Sequence, residues 1–275
     1  MREEKADVYI RRWFTVLLTG GMMLASPAYS QWAIYKTKNI PRSPDGKPNL
    51  SAHAPKEADG KPDLSGMWLI AGPPGEELDG LEHPPPMVAV NLTSGLKPGD
   101  VEMLPPFAAL FAQRLAARGA KVSCAPPGLP LSFTIPVPFK IIQTPGLITM
   151  LYEYPNTYRQ IFIDGRALPE DPSPSYLGYS VGKWDGNTLI VETNGFNDKT
   201  QLDLMGHPHS ESLHMTERYH RRDFGHMDID ITIDDPKAYK KPWTAKTGVE
   251  LYPDTDLLEF ICDENERDFS HLAGK

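Results

Sequence analysis

One carboxylate, Glu217, falls among apolar residues in a segment whose residue types alternate as in a β-strand. With a period of two, Met215 and Tyr219 share the face of Glu217, and Arg218 lies on the opposite face. A carboxylate in apolar surroundings has its charged form disfavoured unless a cation or a hydrogen bond accompanies it. Glu217 is therefore predicted to be either paired or poised for proton transfer.

The segment that follows the turn around Phe224 repeats the alternation with an isoleucine-rich apolar face. Pairing the two segments about this turn places Arg218 opposite Asp230, which gives a solvated ladder of opposite charges. The same register points Glu217 inward, opposite Ile231.

Three other side chains complete a candidate acid/base site with Glu217. Arg159 shares a strand face with Ile161, so it is also predicted to point inward and to be a natural partner of the carboxylate. His209 stands at the entrance of the strand, and imidazole suits proton transfer near neutral pH. Tyr219 would supply a phenolic donor. The alternative is that Arg159 and Glu217 simply neutralise each other.

Two aromatic residues, Tyr152 and Trp68, are candidates for contact with a substrate. Tyr152 lies on an apolar strand face, and Trp68 follows Gly66 in the first predicted strand. Both residues also suit a core, because most inward tyrosines in barrels pack with a satisfied hydroxyl.

A metal site is weighed and not predicted. His207 and His209 form an H-x-H pair, and His214 follows on the strand, so the residue types suit zinc, copper or iron. Pro208 intervenes, however, and His214 faces away from Glu217. The set of three histidines therefore remains the alternative to a site without metal.

Two functional classes remain after motif and charge are considered. The chain has no nucleophile elbow, P-loop, dinucleotide fingerprint or C-x-x-C pair, so no organic cofactor is expected. Its formal net charge of −8 argues against nucleic acid and anionic lipid as partners. The first class is a cofactor-independent lyase, isomerase or hydrolase for a small, largely apolar or aromatic molecule, and the second is a non-catalytic small-molecule binding protein.

Residues 1–30 are predicted to be a signal peptide. Arg11 and Arg12 precede a short apolar run over residues 13–25, and residues 28–30 form a small-x-small cleavage pattern. Sec export is preferred to the twin-arginine route. The mature protein is therefore expected to be periplasmic or secreted, and no other run is long enough to insert in a membrane.

Residues 31–63 are predicted to form an extended arm rich in Pro and Gly, in which a short sequence repeats at residues 45–51 and 59–65. Residues 64–275 are predicted to be a single β domain. Its one convincing helix is near residues 105–118, where two prolines begin an amphipathic stripe.

The remaining segments read as an antiparallel meander with Gly-containing turns. Strands are predicted from Leu64 and over residues 139–144, 147–153, 158–163, 179–184, 187–193, the two segments around Phe224, 244–251 and 256–262. Strands joined in this local order fit an all-β, antiparallel up-and-down barrel, and a β-sandwich is the alternative.

The only two cysteines, Cys124 and Cys262, both follow the leader. An even number of cysteines in an oxidising compartment predicts a disulfide between them, and two buried free thiols are the alternative.

Six strings carry a resemblance to a known family: DGKPDLSGMW, IIQTPG, LYEYPNTYRQIFIDGR, GYSVGKWDGNTLIVETNGFND, GHPHSESLHMTERYHR and ITIDDPKAYKKPW. In these strings the chain resembles a large family of exported bacterial proteins, and the resemblance covers most of the chain after the leader. It implies a calycin-like barrel, that is, a lipocalin-like one, and it implies no particular reaction.

Overall fold

The computed structural model describes residues 36–71, 91–117 and 124–261. From Thr37 onward these residues belong to one compact unit. The helices are α1 (Pro105–Ala116) and α2 (Leu131–Thr134), and the strands are β1 (Gly66–Ile70), β2 (Phe139–Thr144), β3 (Leu147–Tyr152), β4 (Thr157–Phe162), β5 (Tyr179–Asp185), β6 (Thr188–Asn194), β7 (His214–Arg221), β8 (His226–Asp234) and β9 (Trp243–Leu251).

The nine strands form one closed barrel in chain order, with β9 pairing back onto β1. The predicted all-β barrel is therefore confirmed. One pair departs from the antiparallel expectation, because β4 and β5 are parallel and pair only at Ile161–Ser180 and Phe162–Val181. A parallel pair requires the chain to return to the end from which it started. Residues 163–178, which include three prolines, make this return outside the ladder.

The register predicted for the β7–β8 hairpin is confirmed. Glu217 lies opposite Ile231, and Arg218 lies opposite Asp230. Glu217 is fully buried, whereas the side chain of Arg218 is 45% exposed. The alternation of residue types therefore assigned both faces of this hairpin correctly.

The arm covers the barrel end that carries the β7–β8 turn, which we call the arm end. Both copies of the repeat form the same tight turn, with Gly46 at φ +83° and Gly60 at φ +82°. The arm is tied to the turn by backbone hydrogen bonds of 2.7 Å from Phe224 to the Ala52 carbonyl and from Gly225 to that of Leu50.

The opposite end of the barrel, the helix end, carries both helices. The stripe of α1 that the sequence indicated is only half-buried, and no residue of α1 is fully buried. All four residues of α2 are buried. This short helix, which the sequence did not predict, is the one that closes the helix end.

Residues 256–261 do not form the predicted strand. Since β1 already has β2 and β9 on its two sides, no edge of β1 remains for another strand. Leu258 and Phe260 are exposed instead of facing a core.

Two predictions fall outside the described residues. The signal peptide lies there entirely, and so does Cys262, so the disulfide with Cys124 stays a prediction. Within the described residues, no helix is long and apolar enough to cross a membrane.

Candidate functional site

Arg159 on β4 and Glu217 on β7 meet inside the barrel. The Arg159 Nη1 atom lies 3.0 Å from Glu217 Oε1, and Nη2 donates to Oε2. Both side chains are buried, with 1% and 0% of their surface exposed. Burial lowers the pKa of Arg159, but the adjacent carboxylate more than offsets this effect, so the net pKa is raised and the guanidinium stays charged.

Two hydroxyls satisfy the remaining side of the guanidinium. Arg159 Nε donates to Ser180 Oγ at 2.9 Å, and Nη2 donates to Thr193 Oγ1 at 2.8 Å. The two hydroxyls lie 3.0 Å from each other. The sequence did not single out either hydroxyl, although both occupy inward positions of their strands.

Tyr219 joins this network, because its hydroxyl donates to Glu217 Oε1 at 2.7 Å. The Tyr152 hydroxyl contacts Met150 Sδ at 3.6 Å, and Arg159 is close enough to lower the pKa of Tyr152 against the larger effect of burial. Burial raises the pKa of both phenols, so both remain neutral donors near neutral pH. We call Arg159, Glu217, Tyr219, Ser180 and Thr193 the core network.

Phe133 of α2 reaches the core network from the helix end. Its ring centroid lies 6.4 Å from that of Tyr219 and 6.3 Å from that of Phe139, and the side chain is fully buried. The space beside the Tyr219 ring is therefore occupied by an aromatic ring of the chain itself.

His209 is not part of the core network. Its Nε2 atom lies 2.6 Å from Thr200 Oγ1, and Nδ1 lies 3.1 Å from the carbonyl oxygen of Ser210. These contacts hold the imidazole in the loop at the helix end, packed edge-on to Phe196. The structure thus brings together three of the four predicted catalytic residues and places the fourth elsewhere.

The three histidines of the alternative metal site do not come together. His207 binds Asp203 at 2.6 Å and stacks on Phe111 of α1. His209 binds Thr200, and His214 is half-buried on the outer face of β7. In the described ranges, no group of three or more His, Cys, Asp or Glu residues is placed to hold a metal ion.

His209 is expected to make the protein less stable in acid. Burial lowers its pKa in the folded state below the ordinary 6.5. Below about pH 6.5 the unfolded chain therefore binds a proton at His209 more readily than the folded chain does. The resulting contribution to stability is fully present above about pH 6.5 and is lost as the pH falls through the folded pKa, by at most about 1.4 kcal/mol per pH unit. Urea unfolding at a series of pH values should give a flatter profile for His209→Gln.

The control for this measurement is His214→Gln, which removes an imidazole from the outer face of the barrel. Its profile should follow that of the unaltered protein. If His209→Gln also left the profile unchanged, burial of His209 would not contribute to acid sensitivity.

Trp68 lies at the arm end, where it contacts Arg221, a cation that was not predicted from the sequence. The Arg221 guanidinium carbon lies 4.9 Å from the centre of the Trp68 ring, and Trp68 Nε1 donates to the Leu64 carbonyl at 3.0 Å. Arg221 is 4% exposed. Extending the alternation of β7 by one step beyond Tyr219 would have predicted that Arg221 points inward.

The hydrogen bonds of Arg221 go to main-chain carbonyls. Its Nη1 atom lies 2.5 Å from the Asp63 carbonyl, its Nε atom 3.3 Å from that of Asp223, and Nη2 donates to that of Phe224. Burial lowers the pKa of Arg221 to about 10, although the Asp63 and Asp223 carboxylates oppose this shift. The guanidinium is held firmly, but within the described part of the chain no carboxylate binds it directly.

A cavity of about 270 Å³, which we call the arm cavity, lies between the arm and this end of the barrel. Arg221 lines it together with Lys38 and Asp63, and the Asp63 carboxylate accepts the backbone N–H of Ser65 at 2.8 Å. The rest of its wall is largely apolar and includes Ile40, Met67, Phe224, Leu251 and Tyr252.

No protein-family model, curated protein or solved structure matches this chain. The function is therefore argued from the core network, the loop at the helix end and the arm cavity.

Proposed function

We propose that this protein is an exported small-molecule binding barrel of the lipocalin-like type. Its ligand is a small, largely apolar or aromatic molecule that carries one anionic group, and the arm cavity is the binding site. The observation that carries the proposal is the buried Arg221, whose hydrogen bonds to the described residues go to carbonyl groups and not to a carboxylate.

The core network supports binding over catalysis. Glu217 accepts hydrogen bonds from Arg159 and Tyr219, and Phe133 fills the adjacent space. A general base must lie within hydrogen-bond reach of the proton that it removes from a substrate. In this arrangement the reach of Glu217 is taken up by groups of the chain, so the pair neutralises itself.

The arm cavity offers the two features that an amphipathic anion needs. Its apolar wall suits a ring or short aliphatic body, since ligand sites are mostly apolar with a few placed polar groups. Arg221 supplies a charge at a fixed position, and a partly desolvated guanidinium binds a carboxylate or sulfonate more strongly than one in water does. Lys38 adds a second cation at the wall.

The test compares naphthoate with its neutral analogue naphthalene methanol by calorimetry. Naphthoate should bind saturably and at least about tenfold more tightly than the alcohol, because tenfold corresponds to only about 1.4 kcal/mol. Tyr252→Ala, which shortens an apolar wall of the cavity, should weaken naphthoate binding about five- to tenfold.

Tyr158→Ala is the matched control. Tyr158 is 61% exposed on β4 and does not line the arm cavity, whereas Tyr252 is 41% exposed and does. Equal losses in the two variants, or equal affinity for the acid and the alcohol, would reject the arm cavity as an anion-binding site.

A cofactor-independent lyase, isomerase or hydrolase is the second candidate. The 2.6 Å contact between the Thr200 hydroxyl and His209 favours it. With Nδ1 donating to the Ser210 carbonyl, the imidazole accepts from the hydroxyl, and burial lowers the pKa of His209 so that it is neutral near pH 7. A neutral imidazole that accepts from a hydroxyl is the arrangement that activates a nucleophile.

A further inference from the structure

A second concave site, which we call the basic cleft, has a volume of about 360 Å³. It lies between the second turn of the arm, which contributes His53 and Lys56, and the end of β7, which contributes His220, Arg221 and Arg222. Among the described residues, no Asp or Glu lines the cleft. Five basic residues therefore border one space on a chain whose formal net charge is −8.

Backbone pairing fixes the segment of the arm that borders the cleft. Lys56 pairs with Pro62 in an isolated bridge that closes the second turn of the arm. Backbone hydrogen bonds from Phe224 to Ala52 and from Gly225 to Leu50 fasten the arm beside β7. The main-chain positions of the basic residues are thus set by backbone pairing.

Carboxylates beside the cleft offset part of this charge, because Asp63 and Asp223 oppose the effect of burial, which lowers the pKa of Arg221. Asp228 accepts from Arg222 Nη1 at 3.0 Å, and it lies across the ladder from His220. Lys56 and His53 are both exposed, and the hydrogen bonds of the buried Arg221 to described residues all go to carbonyl groups. The cleft therefore presents two arginines, Arg221 and Arg222, and an exposed lysine, Lys56, that can turn toward a ligand.

We propose that the basic cleft binds a phosphate group, either as inorganic phosphate or as a small phosphate monoester. A guanidinium presents its donors in a fork that matches two oxygens of a tetrahedral oxyanion, and lysine binds the same group as a point charge. The Asn187 carboxamide, which also lines the cleft, offers a neutral donor. Arg221 lines both the cleft and the arm cavity, but Lys56, Arg222 and Asn187 line only the cleft.

The first experiment is a calorimetric titration with inorganic phosphate at constant pH and ionic strength. The unaltered protein should bind phosphate saturably. The double variant Lys56→Gln/Arg222→Gln should raise the dissociation constant at least tenfold. Phenyl phosphate should compete with inorganic phosphate for the same site.

The matched control is Lys246→Gln/Arg166→Gln, which changes the net charge equally at exposed residues outside the cleft. It should leave the dissociation constant within twofold of the unaltered value. Equal losses in the two double variants would mean that phosphate responds only to overall charge, and the proposal would fail. Binding to vesicles that contain phosphatidic acid, without binding of free phosphate, would also overturn it.

A second measurement needs no variant. The imidazole resonances of His53 and His220 should shift on phosphate addition, while those of His214, on the outer face of β7 near the helix end, should not. Unmoved His53 and His220 resonances at saturating phosphate would reject the site. Since Tyr252 lines only the arm cavity, failure of the naphthoate test and failure of this test are distinguishable.

Discussion

Glu217→Gln is expected to lower the free energy of unfolding by about 3–5 kcal/mol, because it leaves a buried charge without its partner. The charge is that of Arg159, whose guanidinium is 1% exposed and makes two hydrogen bonds to Glu217. The Ser180 and Thr193 hydroxyls remain, but neutral groups do not replace a carboxylate. Urea unfolding of the two proteins measures the difference.

The double variant Arg159→Met/Glu217→Gln should regain more than half of this loss, since removing both charges removes the desolvation penalty. Arg218→Met is the control on the same strand. Its side chain is 45% exposed and 3.7 Å from Asp185, so the change should cost less than about 1 kcal/mol.

The same variant tests whether Glu217 acts as an acid or base, whereas the candidate based on Thr200 and His209 is tested by turnover of His209→Gln. If Glu217 is a working acid or base, Glu217→Gln should reduce turnover of a substrate about 100-fold or more with little change in affinity. Unchanged stability together with such a loss would contradict the self-neutralising pair and favour the enzyme. Lost stability that the double variant regains, with ligand binding intact, assigns Glu217 a structural role.

Phe133→Ala is expected to cost about 3–5 kcal/mol, because it empties a fully packed position. The ring lies between Phe139 and Tyr219, and its side chain is 0% exposed. An apolar cavity of this size can stay dry and bind benzene. Benzene should therefore raise the melting temperature of Phe133→Ala and leave that of the unaltered protein unchanged.

Phe107→Ala on α1 is the matched control for this substitution. Phe107 is only half-buried, and α1 has no fully buried residue, so the loss should be smaller and benzene should have no effect. If the two alanine variants lost the same stability, α2 would not close the helix end in solution.

Strand faces were the most predictable property of this chain. A period of two placed Glu217, Tyr219 and Arg159 inside the barrel and Arg218 outside, and the contact between Arg159 and Glu217 followed. Alternation suffices here because a shift of one residue would exchange the two faces of a strand completely.

Features that depend on distant partners were not predictable from local pattern. The helix α2 has four residues between Pro130 and Pro136, too few to show a helical period, and only the space inside the barrel accounts for its burial. Residues 256–261 have strand-like residue types but find no free edge. His209 was predicted to belong to the acid/base site with Glu217, yet Thr200 and Ser210 hold it away from the core network.

The parallel pairing of β4 and β5 determines where this barrel should open first. Their ladder joins only Ile161 to Ser180 and Phe162 to Val181, so few main-chain hydrogen bonds protect the seam. Arg159 on one strand donates to Ser180 on the other, and through Glu217 it is anchored to β7. The Arg159–Glu217 pair thus connects β4 to both β5 and β7. Its removal should speed amide hydrogen exchange in β4 and β5 before exchange in the β7–β8 hairpin changes.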